Sequence, residues 1–126
     1  SVMFLTFGQN NSGGTFLFNE EDGITHWVII ECDSVDEGVE IAEMAGVYFN
    51  GCADGRDCHC CGDRWSSYCL EDDFAERPEV YGEDVVKAGG LKTYHAWMPE
   101  GKEVCIHYKD GTKTWLGVLP EEGGAA

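Results

Sequence analysis

Apolar positions in this chain come in short runs, broken by glycine-rich and acidic turns. Met3 to Phe7 is apolar and rich in strand-forming residues, and Thr15 to Phe18 is a second such run. The cluster Gly8-Gln9-Asn10-Asn11-Ser12-Gly13-Gly14 lies between them, so the two runs predict a hairpin. Thr25 to Cys32 carries the strongest strand signal. Trp27, Val28, Ile29 and Ile30 run together without polar alternation, as in a strand buried on both faces.

A helical period follows. Ser34-x-x-Glu37 is a capping box, in which the hydroxyl meets an orphan amide and the glutamate reaches back. Val35, Val39, Ala42 and Gly46 share one face by helical spacing, while Glu40 and Glu43 look outward. Gly38 weakens this helix and Gly46 is its stop. Val47 to Phe49 reads as a short strand feeding a cysteine loop, and Trp65 to Leu70 as another strand. Glu71 to Gly90 is acidic and turn-rich, an exposed excursion with a helical turn around Glu83 to Lys87. Leu91 to Met98 is a further strand. Val104 to Tyr108 and Thr114 to Val118 form the clearest hairpin, joined around Asp110-Gly111.

These elements predict an α+β fold. It has a mostly antiparallel sheet, one main helix (about 34–46) packed on it, and a cysteine-rich loop (51–63). A chain of 126 residues fits one domain, placed at 1–120, with a loose tail at 121–126. Hydrophobic content of 43% and aromatic content of 12% suffice for a packed core.

Charge narrows the function. Against 24 acidic residues stand 8 basic ones, a formal net of -16. Binding to DNA or RNA needs lysines and arginines that displace phosphate counterions, so direct nucleic-acid binding is disfavoured. An anionic membrane would repel the chain as well, and Val28-Ile29-Ile30, its longest aliphatic cluster, is too short to span one. Basic protein surfaces are the natural partners. Carboxylates standing where phosphates would, as in a DNA mimic, are a sharper form of the same expectation; solubility is the plainer one.

Cysteine chemistry concentrates in one place. Four of the seven cysteines fall between Cys52 and Cys61, and Cys69 follows closely. Cys58-x-x-Cys61-Gly62 has the form of a metal knuckle. The start, Ser1 to Leu5, carries no secretory signal, so a reducing cytosol is expected, where clustered cysteines favour metal or redox roles over disulfides. A structural zinc would take Cys52, Cys58, Cys61 and Cys69, with Cys60 or His59 as substitutes, at about 2.3 Å from each sulfur. Labile or disulfide-forming thiols and inert thiols are the competing readings. There is no nucleophile elbow, Walker loop or zinc-deaminase pairing. His26, His95 and His107 lie in predicted strands and read as packed or surface residues.

Several segments together resemble a group of small, uncharacterised proteins of tailed bacteriophages. They are Phe4 to Gly14, Thr25 to Glu31, Asp33 to Glu37, Phe49 to Cys52, Asp57-Cys58-His59-Cys60-Cys61-Gly62-Asp63-Arg64-Trp65, and Tyr108 to Thr112. The resemblance implies a phage origin and the cytoplasm of a bacterial host; it implies no activity. With it, the sequence leads to a non-enzymatic accessory protein that binds a host protein, such as one of host defence, through an acidic, aromatic surface and inhibits or redirects it. A sponge for a nucleotide is the alternative, with Trp65 stacking on the base while Arg56 and Arg64 hold phosphates. A small metal-dependent hydrolase is another.

Overall fold

The computed structural model describes residues 2–93 and 95–120. Strand β1 (Met3–Gly8) pairs antiparallel with β2 (Trp27–Cys32) over six residue pairs, Met3 opposite Cys32 and Gly8 opposite Trp27. A mixed sheet is built on these two, in the order β3-β1-β2-β6-β7. The short β3 (Phe74–Ala75) borders β1, and the hairpin of β6 (Val104–His107) and β7 (Lys113–Leu116) completes the other side. Three of its pairings are antiparallel; β2 and β6 run parallel. Strand β2 is therefore central, and Val28, Ile29 and Ile30 are each 0% exposed, which explains their unbroken apolar run.

Each sheet face has its own core, set by the alternation of side chains along the strands. Leu5, Phe7, Val28 and Ile30 face the helix α1 (Val35–Ala45), together with Ala42 and Trp65. Phe4, Ile29, Val104 and Ile106 face the opposite way and are covered by Val80, Val85 and Leu91. Helix α1 begins where the capping box places it: Ser34 Oγ accepts from the Glu37 amide, and Glu37 accepts from the Asp33 amide. It ends at Gly46, whose amide reaches the Ala42 carbonyl. No described helix is long and apolar enough to cross a membrane.

The predicted fold class, main helix, central strand and final hairpin all stand, and the turn predicted around 83–87 is the short helix α2 (Val85–Ala88). Five local expectations do not. Thr15 to Phe18 is not a strand, because side chains take its backbone groups. The Gln9 amide bonds both the N–H and the carbonyl of Leu17, and the Arg64 guanidinium takes the Thr15 carbonyl. Strand β1 finds its partner in β2 instead. Val47 to Phe49 is irregular, since the Val47 amide closes the helix end on Ala42. The Trp65 to Leu70 strand shrinks to one bridge, Trp65 with Gln9, before a 3-10 turn at Leu70–Asp73. Among the described residues of Leu91 to Met98 one bridge remains, Leu91 with Val118, because the buried Glu103 carboxylate binds the Trp97 and Met98 amides. Nor is Glu71 to Gly90 wholly exposed: its hairpin of β4 (Glu79–Val80) and β5 (Glu83–Asp84) closes the second core through Val80, with Val85 beside it. The predicted tail at 121–126 lies outside the described residues.

Gly38, read from the sequence as a weak point, is a position where α1 lies close against the sheet. A Cβ there would stand 2.8 Å from both Cys32 Sγ and Leu5 Cδ2. Gly38→Ala gains helix propensity of about 1 kcal/mol, yet overpacks a filled core at a cost of about 1–3 kcal/mol. The expected result is a lower urea midpoint with unchanged slope; a higher midpoint would show that the core yields at this point.

Candidate functional site

The loop between α1 and Trp65 is organised by a buried ion pair. Arg64 and Asp57 are 6% and 7% exposed, with Arg64 Nε 3.7 Å from Asp57 Oδ1. Asp57 also accepts from the Tyr48 hydroxyl (2.6 Å) and the Arg64 amide (2.8 Å). The guanidinium donates to the Ser12 and Thr15 carbonyls, the Gln9 amide oxygen and the Tyr48 hydroxyl. The loop closes so tightly on this carboxylate that a Cβ at Gly51 would stand 1.8 Å from Asp57 Oδ2. Burial, and then the bond to Asp57, push the Tyr48 phenol above its ordinary pKa. Arg56 lies over the Tyr48 ring, 3.6 Å from its centroid.

The cysteines stand on this frame. The Cys52 amide donates to Asp63 Oδ1, the Cys52 thiol donates to the Cys58 carbonyl (3.3 Å), and the Cys58 amide donates to Ser12 Oγ. Hydrogen bonds from the Cys61 thiol and amide and from the Cys60 amide hold the Cys58 thiol below its usual pKa. Desolvation, then Asp63, pushes Cys52 the other way. Cys60, Cys61, Cys69 and His59 are exposed, and Cys69 sits at a left-handed backbone position (φ 55°) before the 3-10 turn. The structure thus brings Cys52, Cys58, Cys60 and Cys61 into one loop. Among the described residues no three His, Cys, Asp or Glu side chains converge as a metal site. Cys32 and Cys105 are buried in the cores, and burial pushes the Cys105 thiol up to about 12.

Trp65, Arg64 and Arg56 do not form one ligand surface. Trp65 is 1% exposed in the helix-side core and offers no face for stacking. Arg64 is occupied by the loop it holds, and Arg56 is exposed over Tyr48.

Sequence reasoning missed two places. In the first, Glu103 is 1% exposed and bonds His26 Nδ1 (3.0 Å) besides the Trp97 and Met98 amides. His26 stacks on Trp27, and Phe16 links it to Trp97, which is 53% exposed. The second is a cleft of about 340 Å³ beyond the end of β1, walled by Trp27 and Tyr81 and edged by Asp72, Asp73 and Glu79. Tyr81-Gly82 between two strand-like pairs is the turn signal that could have found it.

Fold and sites together define a small, strongly acidic α+β protein with a mixed sheet, a clamped cysteine loop and an acidic aromatic cleft. The model of a family described as Domain of unknown function (DUF7296) matches residues 2–122, and the chain belongs to that family. No curated protein and no solved structure matches it.

Two outcomes are expected here. Asp57→Ala leaves the buried Arg64 charge without its counter-ion and should destabilise the protein by about 3–5 kcal/mol, read as a fall in urea or thermal midpoint; an unchanged midpoint would remove the clamp from its central place. In alkylation followed by mass spectrometry, Cys32 and Cys105 should stay unlabelled in the folded protein. Cys58 should keep its labelling rate to lower pH in the folded protein than in the urea-unfolded protein, because its depressed pKa preserves the thiolate as pH falls. Equal pH profiles for Cys58 in the two states would show that the loop amides do not stabilise that sulfur.

Proposed function

We propose that this protein works by binding rather than catalysis: a phage accessory protein that, in the host cytoplasm, docks on a basic host protein and blocks or redirects it. The observation that carries the reading is the acidic aromatic cleft. Trp27 and Tyr81 stand there beside three carboxylates, and Asp72 and Asp73 join no ion pair among the described residues. Trp97 and Tyr81 are large, exposed rings of the kind that anchor protein interfaces. A net charge of -16 draws basic surfaces and repels nucleic acid. The phage setting is supported by the resemblance around the cysteine motif. Among the described residues the one carboxylate–histidine pair, Glu103 with His26, is engaged in holding backbone amides, which favours a structural role over acid–base work.

Immobilised protein incubated with host lysate should retain one basic protein in near-stoichiometric amount at about 0.15 M salt and release it near 1 M, where the screening length falls to about 3 Å. Recovery of no stoichiometric partner would overturn the reading. So would a partner whose retention ignores salt.

A further inference from the structure

The cleft is assembled from three separate parts of the chain. Gly8, at the end of β1, has no side chain, and a Cβ there would lie 2.4 Å from the Trp27 ring. The absence of that atom lets Trp27 lie across the strand end. From the other side, the β4–β5 hairpin is pinned to β1 by the Thr6 hydroxyl, which donates to the Glu79 carbonyl (2.8 Å). Its two-residue turn, Tyr81-Gly82, has positive φ at both positions, 53° and 79°. That turn sets the Tyr81 ring edge-on to Trp27, at 5.2 Å between centroids and 77° between planes. The third part, the 3-10 turn Leu70–Asp73, supplies Asp72 and Asp73.

Tyr81 is unusual for where it stands. Asparagine or glycine suits a left-handed turn position better than a bulky aromatic residue. The ring is 84% exposed, so core packing does not account for it. What it does is meet Trp27 edge to face, so that the two rings form one corner of the cleft. No lysine, arginine or histidine among the described residues lines this space. Partial desolvation, and then the charge of Asp72, push the Asp73 carboxyl up from its ordinary pKa, as an uncompensated carboxylate pair requires.

We infer that this cleft is a cage for one arginine side chain of a basic partner, the guanidinium lying in the corner of the Trp27 and Tyr81 rings and donating to the Asp72 and Asp73 carboxylates. This rests on the binding reading above and names the group that the surface grips. Arginine fits better than lysine because its flat, weakly hydrated cation stacks on aromatic faces and offers paired N–H donors to a carboxylate. Anions are repelled by the same carboxylates.

The test uses the whole protein and three capped tripeptides: acetyl-Gly-Arg-Gly-amide, its lysine analogue, and its citrulline analogue, which keeps the shape and loses the charge. The readout is the indole N–H resonance of Trp27, assigned with Trp27→Phe, and the backbone amides of Tyr81 and Gly82. The arginine peptide should shift these signals saturably, the lysine peptide more weakly and the citrulline peptide not at all. Tyr81→Asn removes the ring while relieving the turn, so it should fold at least as well as the parent and bind the arginine peptide about fivefold more weakly. Asp73→Asn should weaken it as well. No saturable shift at Trp27, equal binding of the citrulline peptide, or unchanged binding by Tyr81→Asn would each overturn the cage. The two readings fail separately. A captured partner that Tyr81→Asn retains in full, with no peptide response, removes the cage and leaves the binding function. A peptide response with no captured partner removes the partner and leaves a guanidinium site.

Discussion

Much of the first half of this fold depends on where one guanidinium goes. Arg64 is taken out of water and placed where three chain segments meet: the Gly8–Thr15 turn, the end of the helix connection at Tyr48, and the cysteine loop at Asp57. Its donors satisfy the Ser12 and Thr15 carbonyls, which no strand partner reaches. A buried ion pair adds little net stability compared with apolar packing, since desolvation offsets most of the attraction. Its directionality is another matter. Fixed donors and acceptors admit one arrangement of these loops, so the pair specifies a conformation that glycine-rich sequence alone would leave open.

This explains which parts of the fold were legible. The central strand, helix α1 and the β6–β7 hairpin carry their own local signals: an apolar run, a capping box with a glycine stop, and a turn dipeptide between strands. Thr15 to Phe18 has strand composition, but its backbone partners are side chains from Gln9 and from Arg64, far along the chain, and no local pattern reports a bond of that separation. The parallel pairing of β2 with β6 is equally silent, because it joins segments about seventy residues apart whose local sequences would suit either direction. Gly38 shows the converse. A propensity scale marks it as a defect, whereas the contact with Leu5 and Cys32 makes it a point where helix and sheet approach too closely for a side chain.

The cysteine motif was legible as a site but not as what organises it. Reading Asp57 to Trp65 for metal chemistry puts the weight on sulfur. In the structure the other letters do the positioning: Asp57 holds Arg64, Asp63 holds the Cys52 amide, Trp65 fills the core, and Cys60 and Cys61 are exposed. The motif therefore encodes a framework with thiols mounted on it. The amides turned toward the Cys58 sulfur follow from the backbone path that the framework imposes. The cleft was invisible for a different reason. Trp27 and Tyr81 lie 54 positions apart in the numbering and meet only because β4–β5 folds back across the end of β1.

Charge ties these levels together. Of the eight basic residues, Arg64, Arg77, Lys92, Lys102 and Lys109 each bridge to an acid, and Arg56 lies on Tyr48. Most of the few cations are thus committed to internal ties, among them Lys109, which bonds Asp33 while its amide meets Glu31, and so joins the loop after β6 to the start of α1. The excess of carboxylates remains, and it is the field any partner meets. Such a field raises encounter rates with basic surfaces and confers little selectivity. Selectivity needs shape at a fixed point, and the two rings at the end of β1, set at 77° to each other over adjacent aspartates, supply it.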